Sequence, residues 1–177
     1  MFPSRIELPI SDYTLRPWAW SDKAALIHHA HNHNVSRALF DRFPFPYTAE
    51  AAERWLALAT SKNDDLHFAL DCAGEAIGGI SAMRGTENAR FTAEIGYWLG
   101  ESHWGRGVMT AAVCVFRDAL FAHTDLERLE AGSFITNHAS QRVLEKSGFS
   151  CEGIHRRKFV KHGEFIDDAM YAVLRSR

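Results

Sequence analysis

The chain has 177 residues, with 20 basic and 22 acidic side chains, a formal net charge of −2, and 46% hydrophobic against 24% charged residues. That is the composition of one ordered globular domain, and it lacks the basic excess that would point to nucleic acid or an anionic membrane. Nowhere do about 18 apolar residues run together as a membrane span requires. The opening segment to Tyr13 has no apolar run of the signal-peptide kind. The three cysteines, Cys72, Cys114 and Cys151, are far apart and form no close pair for zinc or redox chemistry, so reduced thiols in a cytoplasmic protein are expected.

In chain order, Tyr13 to Arg16 reads as a first strand stopped by Pro17. Ser21 or Asp22 is then placed to cap a helix through Ala24 to Ile27. The aromatic stretch Phe40 to Tyr47 cannot be a long helix, because Pro44 and Pro46 each remove a donor and restrict the preceding residue. Thr48 caps the next predicted helix, where Ala52, Trp55, Leu56 and Ala59 recur at helical spacing. Leu66 to Asp71, a turn at Gly74-Glu75, and Ala76 to Ala82 read as a hairpin. Phe91, Ala93, Ile95, Tyr97 and Leu99 form the apolar face of a longer strand, with Thr92, Glu94, Gly96 and Trp98 on the other face. A glycine loop at Trp104 to Gly107 leads into a long helix with a predicted buried stripe of Val108, Ala111, Ala112, Val115, Ala119 and Leu120.

Arg128 to Ile135 is the next predicted strand. Asn137 caps a short helix carrying Val143 and Leu144, which ends before Gly148. Two more strands fit Phe149 to Arg157 and Phe165 to Leu174. Antiparallel strands followed by strand, helix, strand, helix and strands give an α+β or mixed α/β sheet rather than a regular doubly wound fold. No internal repeat or linker divides the chain, so residues 1–177 read as a single domain.

Gly105 and Gly107 lie between a strand and a helix. Without side chains there, backbone N–H groups can approach a ligand, and the helix start adds unsatisfied donors and the positive end of its dipole. Together these favour a phosphate or pyrophosphate, with Arg106 as a charged contact and Thr110 as a hydroxyl in the first turn. The same two glycines would equally serve an empty tight turn. A dinucleotide-binding fold fits poorly, since the third glycine of its fingerprint falls on Thr110 and no acid closes the strand ending Phe134-Ile-Thr-Asn137. A Walker loop is excluded by the absence of Gly-Lys-Ser/Thr.

The residues Glu94-Ile-Gly-Tyr-Trp-Leu99 and His103-Trp-Gly-Arg-Gly-Val-Met-Thr110 are followed by Asn137-His-Ala-Ser140, Val143 to Phe149, and Glu152-Gly153. With His162 to Asp167, Met170-Tyr171 and the opening Leu15-Arg-Pro17, this order resembles the GNAT superfamily of N-acetyltransferases, in particular its RimJ/RimL ribosomal-protein branch. The resemblance runs nearly the whole chain. It departs in the acyl-CoA loop, usually Gln/Arg-x-x-Gly-x-Gly/Ala, where this chain has Trp104, Gly107 and Met109. Main-chain donors do not depend on those side chains.

The resemblance implies a split sheet with acetyl-CoA as cosubstrate and no metal. The main chain at Trp98 and Leu99 would meet pantetheine, which would pair with the strand edge like an added strand. The pyrophosphate would lie on Gly105, Arg106, Gly107, Val108, Met109 and Thr110, and Asn137 would add a contact beside its capping role. The implied chemistry is direct attack of a primary amine on a thioester. At pH 7, deprotonating an α-amine of pKa about 8 costs roughly 1.4 kcal/mol, and a lysine of about 10.4 costs roughly 4.6. One carboxylate working through water suits an α-amine, and Glu94 is the candidate base.

Ser140 is placed as a hydrogen-bond donor to the departing sulfur, with Tyr97 and Tyr171 as further proton donors. No covalent intermediate is needed, so the cysteines are expected to be inert. Asp41, Arg42 and Tyr47 are the candidate acceptor contacts. His28, His29, His31 and His33 are expected to form a solvated helix face without an acidic partner. The acceptor is expected to be the N-terminal α-amine of a ribosomal or other protein, with a small amine (polyamine, amino acid or antibiotic) as the alternative. A non-catalytic acyl-CoA-binding module is the reading from another class. No direct nucleic-acid or membrane partner is expected, and a homodimer closing the acceptor groove is compatible with the sequence.

Overall fold

The computed structural model describes residues 2–61 and 64–176. Strands β1 (Ile6–Glu7) and β2 (Tyr13–Pro17) lead into helices α1 (Lys23–Ala30), α2 (His33–Ser36) and α3 (Ala49–Ala59). Strands β3 (Leu66–Cys72), β4 (Glu75–Arg84) and β5 (Thr92–Leu99) follow. Then come α4 (Val108–His123), β6 (Arg128–Phe134), α5 (His138–Lys146), β7 (Ser150–Lys161) and β8 (Glu164–Leu174). Among the described residues the eight strands form one sheet in the order β1-β2-β3-β4-β5-β6-β8-β7. Every pairing is antiparallel except β5 with β6. The mixed, mostly antiparallel sheet flanked by helices is the one the sequence predicts.

The period-two alternation of the strands sends side chains into two separate cores. On β3, Phe68 and Leu70 join a cluster with Val108, Val113, Phe116 and Leu120 of α4. The intervening Ala69 joins Trp18, Leu26, Tyr47 and Leu56 under α1 and α3. Both faces of the central strands are therefore covered. Leu26 and Leu56 are fully buried, and each such side chain contributes about 1.5–3 kcal/mol of transfer free energy.

The pairing that sets up the site is short. Strand β5 meets β6 only at Thr92–Arg128, Ala93–Leu129 and Glu94–Glu130. On its other edge β5 stays paired with β4 as far as Leu99 opposite Gly78. From Ile95 onward the β6 side of β5 has no strand beside it, and the sheet opens into a V. No helix among the described residues is long and apolar enough to cross a membrane.

Four local expectations are corrected. Asp22 does not cap α1 through its side chain; its carboxylate takes both terminal nitrogens of Arg16 at 2.8 Å and the Ala19 N–H at 2.9 Å. The buried stripe of α4 is rotated: Met109, Val113 and Phe116 are buried with Val108, Ala112 and Leu120, while Ala111, Val115 and Ala119 are half-buried. The larger side chains claim the sheet, which moves the alanines to its margin. His29 is buried, and its Nε2 lies 3.0 Å from Glu75 Oε1 on β4, so the histidine face has an acidic partner brought in by the fold. Finally β7 runs on to Lys161, past the predicted end at Arg157.

Candidate active site

The V between β5 and β6 opens into a groove of about 1190 Å³. Its floor is β5 from Glu94 to Leu99. One wall is the start of α4 with α5, and the other is α2, α3 and the loop between them. Of the sequence-predicted site residues, Glu94, Trp98, Leu99, Gly105, Gly107, Val108, Met109, Thr110, Asn137 and Ser140 line this groove, as do Arg42 and Tyr47. Arg106 and Asp41 do not.

The glycine loop is built to leave donors free. Gly105 and Gly107 have φ of 74° and 75°, the left-handed region that only glycine enters without strain. Gly107 is the N-cap residue of α4 and offers no side chain to the first-turn N–H groups. The Ala111 N–H takes the Gly107 carbonyl, which leaves the amides of Val108, Met109 and Thr110 without helical acceptors. A Cβ built on either glycine would meet nothing within 4 Å, so the loop faces open space. Trp104 pins it, because the indole Nε1 donates to the Leu99 carbonyl at 2.8 Å. That carbonyl, one of the main-chain groups expected to face a ligand, is thus partly engaged by the loop itself.

On the α5 side Asn137 is the helix cap, its Oδ1 accepting the Ser140 N–H at 3.2 Å. Gln141 Nε2 donates to the Phe134 and Ile135 carbonyls at 3.2 and 2.9 Å, fixing the turn from β6 into α5. This places Ser140 Oγ 2.9 Å from the Tyr97 hydroxyl, which also donates to the Ser140 carbonyl at 3.2 Å. Burial pushes the Tyr97 phenol well above its ordinary range, so it stays protonated as a neutral partner of the serine. Tyr97 and Ser140, named separately from sequence, form one hydroxyl pair. Tyr171 does not line the groove; its hydroxyl donates to Glu145 Oε1 at 3.2 Å, and burial with the nearby Glu145 raises its pKa.

Glu94 is exposed to the groove on the face of β5 that also carries Gly96 and Trp98. Trp98 packs against Phe43 in a tilted arrangement, 5.3 Å between ring centroids, and Phe43 against Tyr47 at 5.0 Å. Tyr47 is itself buried, and burial raises its hydroxyl pKa to about 12. Asp41 points away and pairs with Lys161 Nζ at 2.8 Å. That pairing, mainly through its hydrogen bond, holds the carboxylate below its ordinary pKa.

The Lys161 side chain is buried and also donates to the Ser36 and Leu39 carbonyls at 3.3 and 2.7 Å. It ties the arm formed by β7 and β8 to the loop between α2 and α3. A triad of Phe40, Phe134 and Phe159 closes the same junction, with centroids 4.8–5.8 Å apart. Nothing in the local sequence around Lys161 signals this tether, since its partners lie 120 to 125 residues away. Among the described residues no three His, Cys, Asp or Glu side chains converge as metal ligands.

Residues 12–150 match the profile described as "Acetyltransferase (GNAT) domain". The chain belongs to the GNAT acetyltransferase family. Among curated relatives, the probable N-acetyltransferase YjcK of Bacillus subtilis (strain 168) is 39% identical over 115 residues, 64% of this chain and 64% of that protein. A ribosomal-protein-serine acetyltransferase of Escherichia coli (strain K12) is 37% identical over 95 residues, 54% of this chain and 50% of that one. The matches thus span about half to two-thirds of those relatives.

Among solved structures, Mycobacterium smegmatis RimJ in complex with CoA-disulfide superposes with a TM-score of 0.82 at 26% identity, covering 96% of this chain and 85% of that one. A ribosomal alpha-N-protein acetyltransferase, RimL, in complex with coenzyme A gives a TM-score of 0.83 at 22% identity, over 98% and 97%. At that lower identity the likeness is one of fold. In this GNAT chain the matched region holds the glycine loop, most of both cores, Glu94 and the Tyr97–Ser140 pair.

Proposed function

We propose that residues 1–177 act as one acetyl-CoA-dependent N-acetyltransferase domain, whose acceptor is the N-terminal α-amine of a protein. The observation that carries this reading is the V in the sheet. It sets an unpaired β5 edge against an uncapped helix start, where an extended polar chain ending in a diphosphate finds both backbone partners and an anion site. The CoA-bound RimJ and RimL neighbours and the ribosomal-protein-serine acetyltransferase relative support it.

In this reading the amides of Val108, Met109 and Thr110 hold the diphosphate, with Gly105 and Gly107 keeping side chains out of its way and Arg106 at the solvent edge. The free side of β5 near Trp98 and Leu99 orients the acyl arm, and Asn137 holds Ser140 in place. Acetyl-CoA supplies an activated acyl group. The amine nitrogen forms a bond to the acyl carbon and the carbon–sulfur bond breaks. Glu94, through water, takes the proton the amine loses. Ser140, its hydroxyl oriented by Tyr97, donates to the sulfur that leaves with the electron pair. Arg42 and Tyr47 border the acceptor's approach. Asp41 acts through the Lys161 tether rather than by contact.

The test is a steady-state panel with acetyl-CoA, measuring thiol release with short peptides bearing free α-amines, the same peptides with only a lysine amine, and polyamines or amino acids. Highest kcat/KM on α-amine peptides supports the assignment. A preference for a small amine would replace the acceptor while keeping the chemistry.

A further inference from the structure

Among the described residues, Arg90, Arg106, Arg156 and Arg157 neither line the groove nor have a carboxylate at ion-pair distance, and most of the other arginines divide by place. Arg5, Arg16, Arg84, Arg117, Arg128 and Arg175 each pair with a carboxylate, and none of them lines the groove. Arg37, Arg42, Arg54 and Arg142 do line it, and among the described residues none has a carboxylate at ion-pair distance. Arg142 shares α5 with Lys146 one turn on, the side proposed to meet the cosubstrate's phosphates. Arg37, Arg42 and Arg54 occupy the opposite wall, and the cosubstrate does not account for them.

Glu94 and Asp65 line the groove as well, against four arginines, and two further carboxylates nearby do not neutralise the wall. Glu101 is occupied by the amides of Asn32 and Asn34, which lower its pKa, with Arg37 only a lesser contributor. Glu50 is held low first by backbone hydrogen bonding at the start of α3, with Arg54 again a lesser influence. Arg42 lies over the Phe40 ring at 5.2 Å, a stacking that leaves the guanidinium edge free to bind. Lys161 anchors the loop just before Arg42, through Leu39 and Asp41 on either side of Phe40. The backbone that carries Arg42 is therefore held in place, in a chain whose net charge is −2.

Arg37, Arg42 and Arg54 are exposed at the mouth of the groove, and like charges gathered along one opening concentrate anions there, more so at low ionic strength. The planar guanidinium fork matches a carboxylate with two parallel hydrogen bonds. Three such forks spread from the end of α2 into α3 exceed what a single amino-acid carboxylate would use. We propose that the acceptor is an acidic polypeptide N-terminus, with Asp or Glu side chains within a few residues of the reacting amine. This rests on the proposed acetyltransfer, and deepens it by naming the acceptor's chemistry.

The experiment uses three synthetic peptides of equal length and identical first residue, followed by acidic, neutral or basic residues. Their binding to the CoA-saturated protein is read by fluorescence anisotropy, and turnover with acetyl-CoA is measured in parallel. The acidic peptide should bind at least tenfold tighter than the neutral one at low ionic strength, and the margin should shrink as salt rises. In the Arg42→Glu/Arg54→Glu protein the acidic-to-neutral ratio should fall to near one or invert, while acetyl-CoA affinity is retained as the check on folding. Equal binding of all three peptides, or a preference for the basic one, overturns the proposal. Acidic binding without turnover of any peptide upholds the acidic site and sinks the transfer reading instead, so the two fail separately.

Discussion

The two walls of the groove are built on opposite plans. The wall of α4 and α5 presents main chain: left-handed glycines, an uncapped helix start, and a cap residue that positions one serine against one tyrosine. The wall of α2, α3 and their loop presents charged and aromatic side chains, and Lys161 holds it in place from the far end of the sequence. A backbone-built wall recognises a chemical constant such as a diphosphate and tolerates changes of side chain, as at Trp104 and Met109. In the proposed reading, acceptor choice resides in the side-chain-built wall.

Substitutions can break this contrast. The largest effect is expected at Glu94, because it belongs to neither wall and is the proposed base. Glu94→Gln should lower kcat by about 10²-fold with little change in acetyl-CoA affinity. The rate should recover as pH rises past the amine's pKa, since the amine then arrives neutral. Activity equal to the parent at neutral pH would leave the proton to water or a tyrosine.

Gly107→Val sharpens the claim that the first wall is main chain. The left-handed backbone costs a non-glycine residue roughly 1–2 kcal/mol, yet no atom lies within 4 Å of the new Cβ. The helix behind it is held by Val108, Phe116 and Leu120, so the protein should fold. Its acetyl-CoA affinity, measured by calorimetry, should drop at least tenfold while peptide binding persists. Unchanged affinity in a folded variant would misplace the phosphate site.

Ser140→Ala and Tyr97→Phe probe the hydroxyl pair. Each should cut kcat by about tenfold or more, less than Glu94→Gln, and neither should be rescued by high pH because the defect lies at the leaving sulfur. If Tyr97→Phe alone is silent, the serine acts without its partner.

Lys161→Met should give the smallest and most one-sided effect. The acceptor KM should rise several-fold and the melting temperature fall, while acetyl-CoA KM stays put. Lowering the pH should mimic it. Asp41 titrates below its ordinary range when paired, so the pairing's stabilisation is complete above the unfolded carboxylate pKa. It is lost only as pH falls through the depressed folded value. The acceptor KM of Lys161→Met relative to the parent, a ratio in which the amine's own protonation cancels, should be constant down to that range and then fall toward one.

The same contrast explains what could be read from the sequence. Gly105, Gly107, Asn137 and Thr48 act within a few residues of themselves, so turn and cap chemistry located them, and the strand alternation at Ala93 to Leu99 located the floor. The Asp41–Lys161 pair spans 120 residues, and His29–Glu75 spans 46; no local pattern carries either. Asp41 looked like an acceptor contact because an exposed acid in an aromatic loop shows no partner until the arm is folded over it. The Tyr97–Ser140 pair was half legible. Each residue stood out by type, but only the splayed sheet brings β5 and α5 to hydrogen-bonding distance.

The most direct measurement is mass spectrometry of a peptide with a free α-amine after incubation with acetyl-CoA and the protein, with released thiol counted in the same reaction. The account predicts one acetyl group on the α-amine for each CoA thiol released, and loss of both in step when Glu94 is changed to Gln at neutral pH. Tight acetyl-CoA binding with no acetyl on any amine would contradict it, and would make the V in the sheet a binding site without transfer.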